Sequence, residues 1–573
     1  MGNIAEMVVA RLVRAGVKRI YGVAGDSLNG ITDVIRKKGG IEWVSVRHEE
    51  TAAFAAGAEA ALTGSLAVCA GSCGPGNLHL INGLYDCYKS RVPVLAIAAH
   101  ISSSEIGTDY FQETHPEKIY ASCTHYCETI SNPDQMPRVL EIAIQTAISS
   151  QTVSMVILSG DTSFKDAPSI AKENFLVLEP PRVCPNDEVL KEAAKRLNRS
   201  KRVAILGGAG CASAHSELMK TADLLKAPIV HTLRGKEHIE FDNPFDVGMT
   251  GLIGFASGYH AMMSCDTLLM LGTDFPYRPF LPKEAEIIQV DIRAQNIGRR
   301  CQVDLGVVGD VKETLLALNK LLTPKREDGF LQKALAHYRE VRGELENLAV
   351  ETPGKKPIHP QYLAKCVDEL ASKDAIFTSD VGTPTVWAAR YLKMNGKRRL
   401  FGSFNHGSMA NAMPQAIGAK KAFPNREVIT FSGDGGLSML MGDLLTFKQT
   451  GTPIKVIVFN NGAYGFVELE MKAAGILEYA TDLVNPNFAQ VAEAIGILGI
   501  RVEDPKDVKG ALKKAFEYEG AALVDVVINR HELSMPPKID LKQALGFNVW
   551  MMRAILNGKG NQVVELIKTN LFR

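Results

Sequence analysis

An aspartate and a pair of asparagines, separated by a defined run of chain, carry the clearest chemistry in this sequence. The segment GDGGLSMLMGDLLTFKQTGTPIKVIVFNN extends from Gly433 to Asn461. A carboxylate, an amide oxygen and a nearby backbone carbonyl are hard oxygen ligands, the kind that Mg²⁺ takes while it keeps phosphate oxygens and water in its shell. We therefore predict that Asp434 and Asn461 hold a metal-bound diphosphate.

The elements around these residues predict how they are held together. Apolar runs at 427–432 and 454–459 are each typical of a buried parallel strand. Between the runs, apolar residues recur at helical spacing, namely Leu437, Leu440, Met441, Leu444 and Leu445. In an open parallel sheet, ligands bind at the carboxyl ends of neighbouring strands. A strand, helix and strand unit would therefore bring Asp434 and Asn461 to one crevice.

The spacing of this segment resembles the signature of the thiamine diphosphate enzymes, in which GDG and NN are separated by about as many residues as lie at 436–459 here. The alternative is that GDG is an ordinary tight turn and NN an ordinary strand exit. The resemblance implies thiamine diphosphate and Mg²⁺ as cofactors. It implies metal binding by the side chains of Asp434 and Asn461 and the carbonyl of Ala463, within a turn made by Gly433, Gly435 and Gly436.

Length and composition exclude several other classes of protein. The chain has 573 residues, which is the size of roughly three or four domains. Its formal net charge is +1 and its pI is near 7.6, so it lacks the basic surface that nucleic-acid binding requires. The start of the chain, 1–16, is amphipathic and does not follow the secretory pattern. No apolar run is long enough to span a bilayer, and the ten cysteines are scattered. We expect a cytoplasmic protein.

Short apolar strands alternate with helical segments along most of the chain, and this alternation predicts doubly wound parallel sheets. Joints at 179–185 (EPPRVCP) and 351–357 (ETPGKKP) separate three such α/β domains. With the resemblance, we expect a pyrimidine-binding domain at 1–180, an FAD-binding middle domain at 183–335 and a thiamine diphosphate and Mg²⁺ domain at 358–535. An amphipathic tail follows at 536–573.

Glu49, in RHEETAAFAAGAEA, lies where a predicted strand ends and an alanine-rich helix begins. A carboxylate there could simply complement the helix dipole. In thiamine diphosphate enzymes, however, the similar segment carries the glutamate that hydrogen-bonds the aminopyrimidine ring, and the resemblance implies this catalytic role for Glu49. The neighbouring Glu50 is expected to point elsewhere.

Several further positions match the family's cofactor and substrate contacts, although each alone is an ordinary turn or core residue. The resemblance places Phe111, Gln112, Phe466 and Glu470 beside the substrate. It implies further cofactor contacts from these two domains at Gly25, Asn77, Asp380, Gly407, Ser408 and Met409. In the family, the residue at Gly407 offers its carbonyl to the cofactor's amino group, and the methionine at Met409 wedges between its two rings.

The middle domain contains a strand that enters a glycine turn, RVAILGGAG at 202–210, but no strict GxGxxG. The alternative is a flavin-free middle domain, as decarboxylases of this superfamily have. In this chain, however, the middle-domain segment 234–254 closely resembles the FAD-binding domain of pyruvate oxidases. The implied FAD contacts are Gly208, Ala209, Gly210, Thr250, Gly251, Leu252, Ile253, Gly254, Thr273, Asp274, Phe275, Pro276, Tyr277, Asp291, Gly309 and Asp310.

Taken together, these matches resemble the pyruvate oxidase family, nearest to its acetate-forming, quinone-dependent branch. The resemblance implies oxidative decarboxylation of pyruvate to acetate and CO₂, with electrons passed to FAD and then to a membrane quinone. It also implies a homo-oligomer, at least a dimer and expected to be a tetramer, because Glu49 and Asp434 would come from two subunits.

Two other reactions stay open, an acetolactate-forming carboligation and a phosphate- and oxygen-dependent oxidation to acetyl phosphate. Glu470 stands where carboligases of the superfamily carry tryptophan. The tail at 536–573 predicts an amphipathic helix with Val563, Val564, Ile567 and Leu571 on one face, preceded by exposed aromatic and methionine residues in 546–556. Such a helix either packs on its own protein or lies on a phospholipid bilayer, and we expect peripheral binding at the cytoplasmic face of the cell membrane.

Overall fold

The computed structural model describes residues 2–169, 179–352, 354, 356–532 and 541–571. It contains three six-stranded parallel sheets in succession along the chain. Helices flank each sheet, and the buried faces of strands and helices form the cores. The predicted fold class, an α/β protein with three parallel-sheet domains, is confirmed.

The first sheet lies within residues 19–159. Its elements are α1 (Ile4–Arg14), β1 (Arg19–Gly22), α2 (Asn29–Lys38), β2 (Glu42–Ser45), α3 (Glu49–Thr63), β3 (Ala67–Gly71), α4 (Pro75–His79), α5 (Ile81–Ser90), β4 (Val94–His100), α6 (Pro116–Ile119), β5 (Tyr126–Thr129), α7 (Met136–Ser150) and β6 (Val153–Ser159). The strand order is β2-β1-β3-β4-β6-β5. The direction of winding changes between β1 and β3, so a crevice opens at their carboxyl ends.

The second sheet lies within residues 203–308. Its elements are α8 (Asp187–Arg199), β7 (Val203–Gly207), α9 (His215–Leu225), β8 (Ile229–His231), α10 (Lys236–Ile239), β9 (Asp246–Met249), α11 (Ala256–Met263), β10 (Thr267–Leu271), β11 (Glu286–Asp291), β12 (Leu305–Val308) and α12 (Val311–Leu318), and α13 (Gly329–Leu348) leads out. The order is β12-β11-β10-β7-β8-β9. Counted within the domain, this is 6-5-4-1-2-3, the order of dinucleotide-binding sheets.

The third sheet lies within residues 376–527. Its elements are α14 (Pro360–Leu370), β13 (Ile376–Ser379), α15 (Thr383–Tyr391), β14 (Arg399–Gly402), α16 (Ala412–Ala422), β15 (Val428–Gly433), α17 (Asp434–Met439), α18 (Leu444–Thr450), β16 (Ile454–Asn460), α19 (Gly465–Ala473), α20 (Phe488–Ile495), β17 (Leu498–Val502), α21 (Val508–Glu517) and β18 (Ala522–Val527). The order β14-β13-β15-β16-β18-β17 repeats that of the first sheet. The first and third domains therefore share one topology.

The helix predicted between β15 and β16 is not continuous. It is divided into α17 and α18 by a 3₁₀ turn at Met441–Asp443, and Leu445 is 41% exposed instead of buried. The carboxylate of Asp443 accepts hydrogen bonds from the backbone N–H of Arg47 and the hydroxyl of Thr51, at 2.8 and 2.7 Å. Because these donors belong to the first domain, tertiary contacts at Asp443 stabilise the break.

The first and third domains pack through α3 and α16. Both helices consist largely of small residues, and a Cβ at Gly418 would lie 2.0 Å from the carbonyl oxygen of Ala55. One buried apolar cluster contains residues of both domains. The alanine-rich sequence after Glu49 thus allows two helices from different domains to approach closely.

The tail forms α22 (Leu541–Leu556) and α23 (Gly560–Leu571), which pack on the third domain. Trp550 is fully buried, donates a 3.1 Å hydrogen bond to Glu478 and lies over the Lys472 ammonium group. The expectation of an exposed aromatic residue in 546–556 is therefore wrong, because these polar partners give Trp550 a buried position. Val563 and Leu566 are also buried. In the parts of the chain that the structure describes, no helix is both long and apolar enough to cross a bilayer.

Candidate active site

The GDG and NN turns meet at the carboxyl ends of the neighbouring strands β15 and β16. The carboxylate of Asp434 accepts hydrogen bonds from the backbone N–H of Gly462 at 2.8 Å and from the Asn485 amide at 2.7 Å. The side-chain oxygen of Asn461 lies 3.2 Å from the N–H of Ala463, whose own carbonyl completes the predicted ligand set. Burial raises the pKa of Asp434 above its usual value. A divalent cation would compensate this buried charge, so the oxygen donors fit Mg²⁺.

Asp380 lies beside this turn, at the point where the winding of the third sheet reverses between β13 and β15. Its carboxylate accepts from the backbone N–H groups of Ala412 at 2.9 Å and Gly433 at 3.2 Å. Burial raises the pKa of Asp380 to about 7. A Cβ at Gly436 would lie 2.5 Å from the Asp380 carboxylate, so glycine is required for this close approach.

The segment 407–409 reaches the same turn. A Cβ at Gly435 would lie 3.2 Å from the terminal methyl group of Met409. Gly407 has a φ of +87°, and Ala410, directly after Met409, has a φ of +62°, which is uncommon for a residue with a side chain. Such backbone conformations occur often at ligand sites, so this geometry fits a segment built to hold a cofactor.

Glu49 begins α3 and is buried. One of its carboxylate oxygens lies 2.9 Å from Nδ1 of His79, and the other lies 3.0 Å from the position of a Cβ at Gly76. Asn77, in the same loop, is buried and donates to the carbonyl of Ala99, but its side-chain oxygen has no hydrogen-bond partner among the described residues. A buried acceptor of this kind fits a site that a polar ligand completes.

Gly25 lies in the first-domain crevice between β1 and β3. A Cβ added at this position would lie only 2.2 Å from the Ser72 hydroxyl oxygen. Gln112 packs against Gly74 and accepts a 3.2 Å hydrogen bond from the thiol of Cys73. Gln112 itself has a φ of +62°. The structure thus brings Gln112 to the glycine loop that leads to Asn77, a predicted cofactor contact.

Two of the other three predicted substrate contacts lie at the protein surface. Phe111 is 77% exposed, and the side chain of Glu470 is exposed on α19. Phe466, on the same helix, is partly buried against the third-domain core. Among the described residues, no hydrogen bond links Phe111, Phe466 or Glu470 to Glu49.

The described chain holds Glu49 and Asp434 in two separate groups. The hydrogen-bond partner of Glu49 is His79, whereas Asp434 contacts Gly435, Gly462 and Asn485. Across the described ranges, no hydrogen bond or ion pair joins the two groups. That one cofactor uses Glu49 and Asp434 from two subunits stays a prediction.

In the middle domain, two of the predicted FAD segments lie together at the carboxyl edge of the sheet. A Cβ at Gly251 would lie 3.3 Å from the ring of Phe275, which packs on Tyr277. Thr250 is buried, and within the described residues its hydroxyl has no hydrogen-bond partner. Arg390 of the third domain donates to the carbonyl of Ile253. Among the other predicted FAD contacts in these two segments, Leu252, Pro276 and Tyr277 are exposed. Asp274 forms ion pairs with Arg299 and Arg300. The last two contacts are Gly254 and Thr273.

Other predicted FAD contacts have partners within the protein. Asp291 ends β11 and accepts from the backbone N–H of Arg293 and the amide of Asn296 at 2.9 and 3.0 Å. Asp310, after Gly309, caps α12. In the turn 208–210, Cβ atoms at Gly208 and Gly210 would each lie 2.6 Å from Gly272. Close backbone packing therefore explains these two glycines without a diphosphate. The buried Thr250 hydroxyl and the strand order fit a dinucleotide.

Four polar residues near the site carried no recognisable sequence signal. Asn485 bridges Asp434 and Asn460, Asp443 joins the first and third domains, Asn82 contacts Ser408, and Glu113 holds the loop that carries Phe111. Their partners are far away in sequence or are backbone groups. No motif could have revealed them.

The fold and the site define a three-domain α/β protein in which the GDG and NN turns lie at neighbouring strand ends of the third domain. Models of the thiamine pyrophosphate (diphosphate) enzymes match in the same order, the N-terminal TPP-binding domain at 2–119, the central domain at 190–318 and the C-terminal TPP-binding domain at 380–526. The chain belongs to this family and is a thiamine diphosphate-dependent enzyme.

Relatives match over nearly the whole chain. The putative thiamine pyrophosphate-containing protein YdaP of Bacillus subtilis is 36% identical over 97% of this chain and 96% of its own. The pyruvate oxidase of Lactiplantibacillus plantarum is 30% identical over 92% and 88%. The probable acetolactate synthase large subunit of Methanocaldococcus jannaschii is also 30% identical, over 93% of both chains. Overall identity therefore does not separate oxidase from synthase.

Proposed function

We propose that this enzyme oxidatively decarboxylates pyruvate to acetate and CO₂ and passes two electrons to bound FAD and then to a membrane quinone. The observation that carries the proposal is the middle sheet, whose strand order is that of dinucleotide-binding domains. At its carboxyl edge lies the buried Thr250 hydroxyl, which has no hydrogen-bond partner among the described residues. Similarity to a pyruvate oxidase supports the substrate.

The chain's own residues have distinct tasks in this proposal. Asp434, Asn461 and the carbonyl of Ala463 hold Mg²⁺, and Glu49 binds the aminopyrimidine ring. Phe111, Gln112, Phe466 and Glu470 would contact the 2-oxo acid. When bound, thiamine diphosphate supplies the electron sink for loss of CO₂, and FAD supplies the two-electron acceptor.

An anaerobic spectroscopic experiment tests this function. Pyruvate is added to the purified protein with thiamine diphosphate, Mg²⁺ and FAD, the flavin absorbance is followed, and a soluble quinone is then added. We expect bleaching of the flavin, recovery on addition of quinone, and acetate as the product. The control contains EDTA in place of Mg²⁺ and should not bleach.

Two other outcomes would overturn the proposal. A flavin that stays oxidised while acetolactate accumulates would assign the chain to the carboligases. A requirement for phosphate and oxygen, with acetyl phosphate as product, would assign it to the other oxidases. The exposed Glu470 on α19 favours the oxidase over the carboligase, since the similar carboligases carry tryptophan there.

We also propose that the tail binds phospholipid at the cytoplasmic face of the cell membrane. One face of α22 exposes Leu545, Met552 and Leu556, with Ile555 beside them. The opposite side is docked through Trp550. An exposed apolar strip on a surface helix fits the headgroup region of a bilayer.

Flotation with anionic phosphatidylglycerol vesicles tests the membrane proposal. We expect the Ile555→Glu, Leu556→Glu double variant to lose vesicle binding but to keep pyruvate-dependent flavin reduction. The matched control is Leu316→Glu, an exposed leucine in the middle domain, which should bind vesicles normally. Equal vesicle binding by both variants would rule out the exposed apolar strip of α22 as the membrane-binding surface.

Finally, we propose a homo-oligomer, at least a dimer and a tetramer by family resemblance. The segment 479–484 is hydrogen-bonded to the turn that follows Asn461 and exposes apolar side chains, with Tyr479 at 83% and Val484 fully exposed. Light scattering after size-exclusion chromatography tests this: wild-type protein should be oligomeric, and Tyr479→Arg with Val484→Arg should release smaller species. A monomeric wild-type protein with full activity would overturn the proposal.

A further inference from the structure

One face of α5, in the first domain, is in contact with the loop 403–408 of the third domain. The residues on this face are spaced three and four apart, as expected for neighbours on a helix surface, namely Asn82, Tyr85, Asp86 and Lys89. Asp86 accepts hydrogen bonds from Ser403 at 2.8 Å and from Gln415 at 3.0 Å. The carbonyl of Lys89 accepts from Asn405, and the ring of Tyr85 stacks on His406. The loop is therefore held along its length by one helix.

Asn82 is the member of this face that is hydrogen-bonded to the side chain of Ser408, in the predicted cofactor segment. Its side-chain N–H groups donate to Glu50 at 2.7 Å and to the hydroxyl of Ser408 at 2.9 Å, and its oxygen accepts from Nε2 of His406 at 2.8 Å. The Ser408 hydroxyl in turn donates to the carbonyl of Met409 at 2.8 Å. A continuous series of hydrogen bonds thus joins the start of α3 to the backbone of Met409.

The segment that Asn82 holds is not a regular structure. Gly407 and Ala410 both have positive φ angles, and Ala410 has a side chain that disfavours this conformation. A backbone of this kind persists only when the surrounding structure holds it. The contacts from α5 supply such support from a different domain.

We propose that Asn82 is a positioning residue for thiamine diphosphate. Through Ser408 it fixes the segment Gly407–Met409 in the conformation that presents the Gly407 carbonyl and the Met409 side chain to the cofactor. Glu50 orients the Asn82 amide, so the two neighbouring glutamates at the start of α3 serve different tasks. This inference rests on the proposed cofactor contacts of residues 407–409.

The test is the rate at which the C2 proton of bound thiamine diphosphate exchanges with deuterium, followed by NMR after acid quench. That rate depends on the placement of the cofactor's amino group. We expect Asn82→Ala to slow the exchange at saturating cofactor by about tenfold or more and to weaken cofactor binding by about tenfold, as for one or two lost hydrogen bonds. Lys89→Ala is the matched control, because the hydrogen bond of Lys89 to this loop is made by its backbone carbonyl and is kept in the variant.

A double-mutant cycle separates positioning from general damage. If Asn82 acts through Ser408, the double variant Asn82→Ala, Ser408→Ala should exchange no more slowly than the more affected single variant. Additive effects, or an Asn82→Ala rate equal to that of Lys89→Ala, would overturn the inference.

A measurement without cofactor keeps this inference distinct from the proposed function. Amide hydrogen exchange of peptides covering 403–411 is recorded in the cofactor-free protein. Faster exchange in Asn82→Ala than in Lys89→Ala supports the restraint on the loop, even if wild-type protein fails to bind thiamine diphosphate and the function is wrong. Unchanged exchange in both would refute the restraint itself.

Discussion

The amide of Asn82 donates a hydrogen bond of 2.9 Å to the hydroxyl of Ser408, although the two residues are 326 positions apart in the chain. The bond joins the first domain to the third at the segment expected to hold the cofactor. Beside it, α3 and α16 pack closely through alanine and glycine residues. The two domains that share a topology therefore also share a polar contact next to the candidate active site.

Asn485 should be needed for metal binding although it is not a predicted ligand. It orients the Asp434 carboxylate and also donates to Asn460 at 3.0 Å. Loss of such a supporting hydrogen bond typically weakens metal binding by about ten- to hundredfold. We expect this loss for Asn485→Ala in Mg²⁺ titrations of cofactor binding. The control Asn487→Ala removes only a helix cap, and equal Mg²⁺ affinity in the two variants would contradict the prediction.

Glu113 should control the loop that carries Phe111 and Gln112. Its carboxylate accepts from the backbone N–H groups of Gly107 and Tyr110, and these bonds lower the pKa of Glu113. We expect Glu113→Ala to reduce kcat/KM for pyruvate by about tenfold or more, because misplaced substrate contacts lower catalysis. Thiamine diphosphate affinity should not change. Glu105→Ala is the control, and if it lowers kcat/KM equally the loop model fails.

The stability of the protein should carry a pH dependence from Asp86. Burial raises the pKa of Asp86 from 3.8 to about 6. Between these values the folded protein keeps a proton that the unfolded chain has released, so the stabilisation present at low pH is lost as the pH rises through about 6. At about 1.4 kcal/mol for each pKa unit, the full loss is about 3 kcal/mol.

We therefore expect Asp86→Asn to show a smaller fall in thermal midpoint than wild type between about pH 4 and about pH 7, the range that extends from near the lower pKa value to above the higher one. Thermal scanning of both proteins at the two pH values measures this difference. Parallel shifts in the two proteins would show that Asp86 does not titrate in this range.

Trp550 should hold the tail on the third domain. Because the indole is fully buried and bonded to Glu478, its removal leaves a cavity that typically costs about 3 to 5 kcal/mol. We expect Trp550→Ala to increase hydrogen exchange and proteolysis within 541–571, with little change in the rest of the chain. Trp550→Phe should retain most of the packing. Uniform destabilisation of all three domains would contradict local docking.

Local sequence patterns were sufficient for the fold class. Apolar strands alternating with amphipathic helices imply parallel sheets, and three such sheets are present. The GDG and NN turns were also predictable, since each follows a strand and neighbouring parallel strands end at one edge. Cofactor and substrate roles assigned to Glu49, Asp380 and Glu470 stay predictions.

Other features depended on contacts between distant residues. The break between α17 and α18 is stabilised by hydrogen-bond donors of the first domain that contact Asp443. The helical periodicity of residues 437–445 could not reveal these donors, because they lie far away in the sequence. Trp550 looked exposed because its partners, Lys472 and Glu478, lie outside the tail.

By itself, the sequence determined the fold class and the chemical groups at the ends of the strands it predicted, because these follow from local periodicity and residue type. Only the tertiary structure decided which polar side chains support those groups. Asn82, Asn485 and Glu113 acquire their roles from where their hydrogen-bond partners lie in space. A hydrogen bond depends on distance and direction, and neither is encoded in a short stretch of chain.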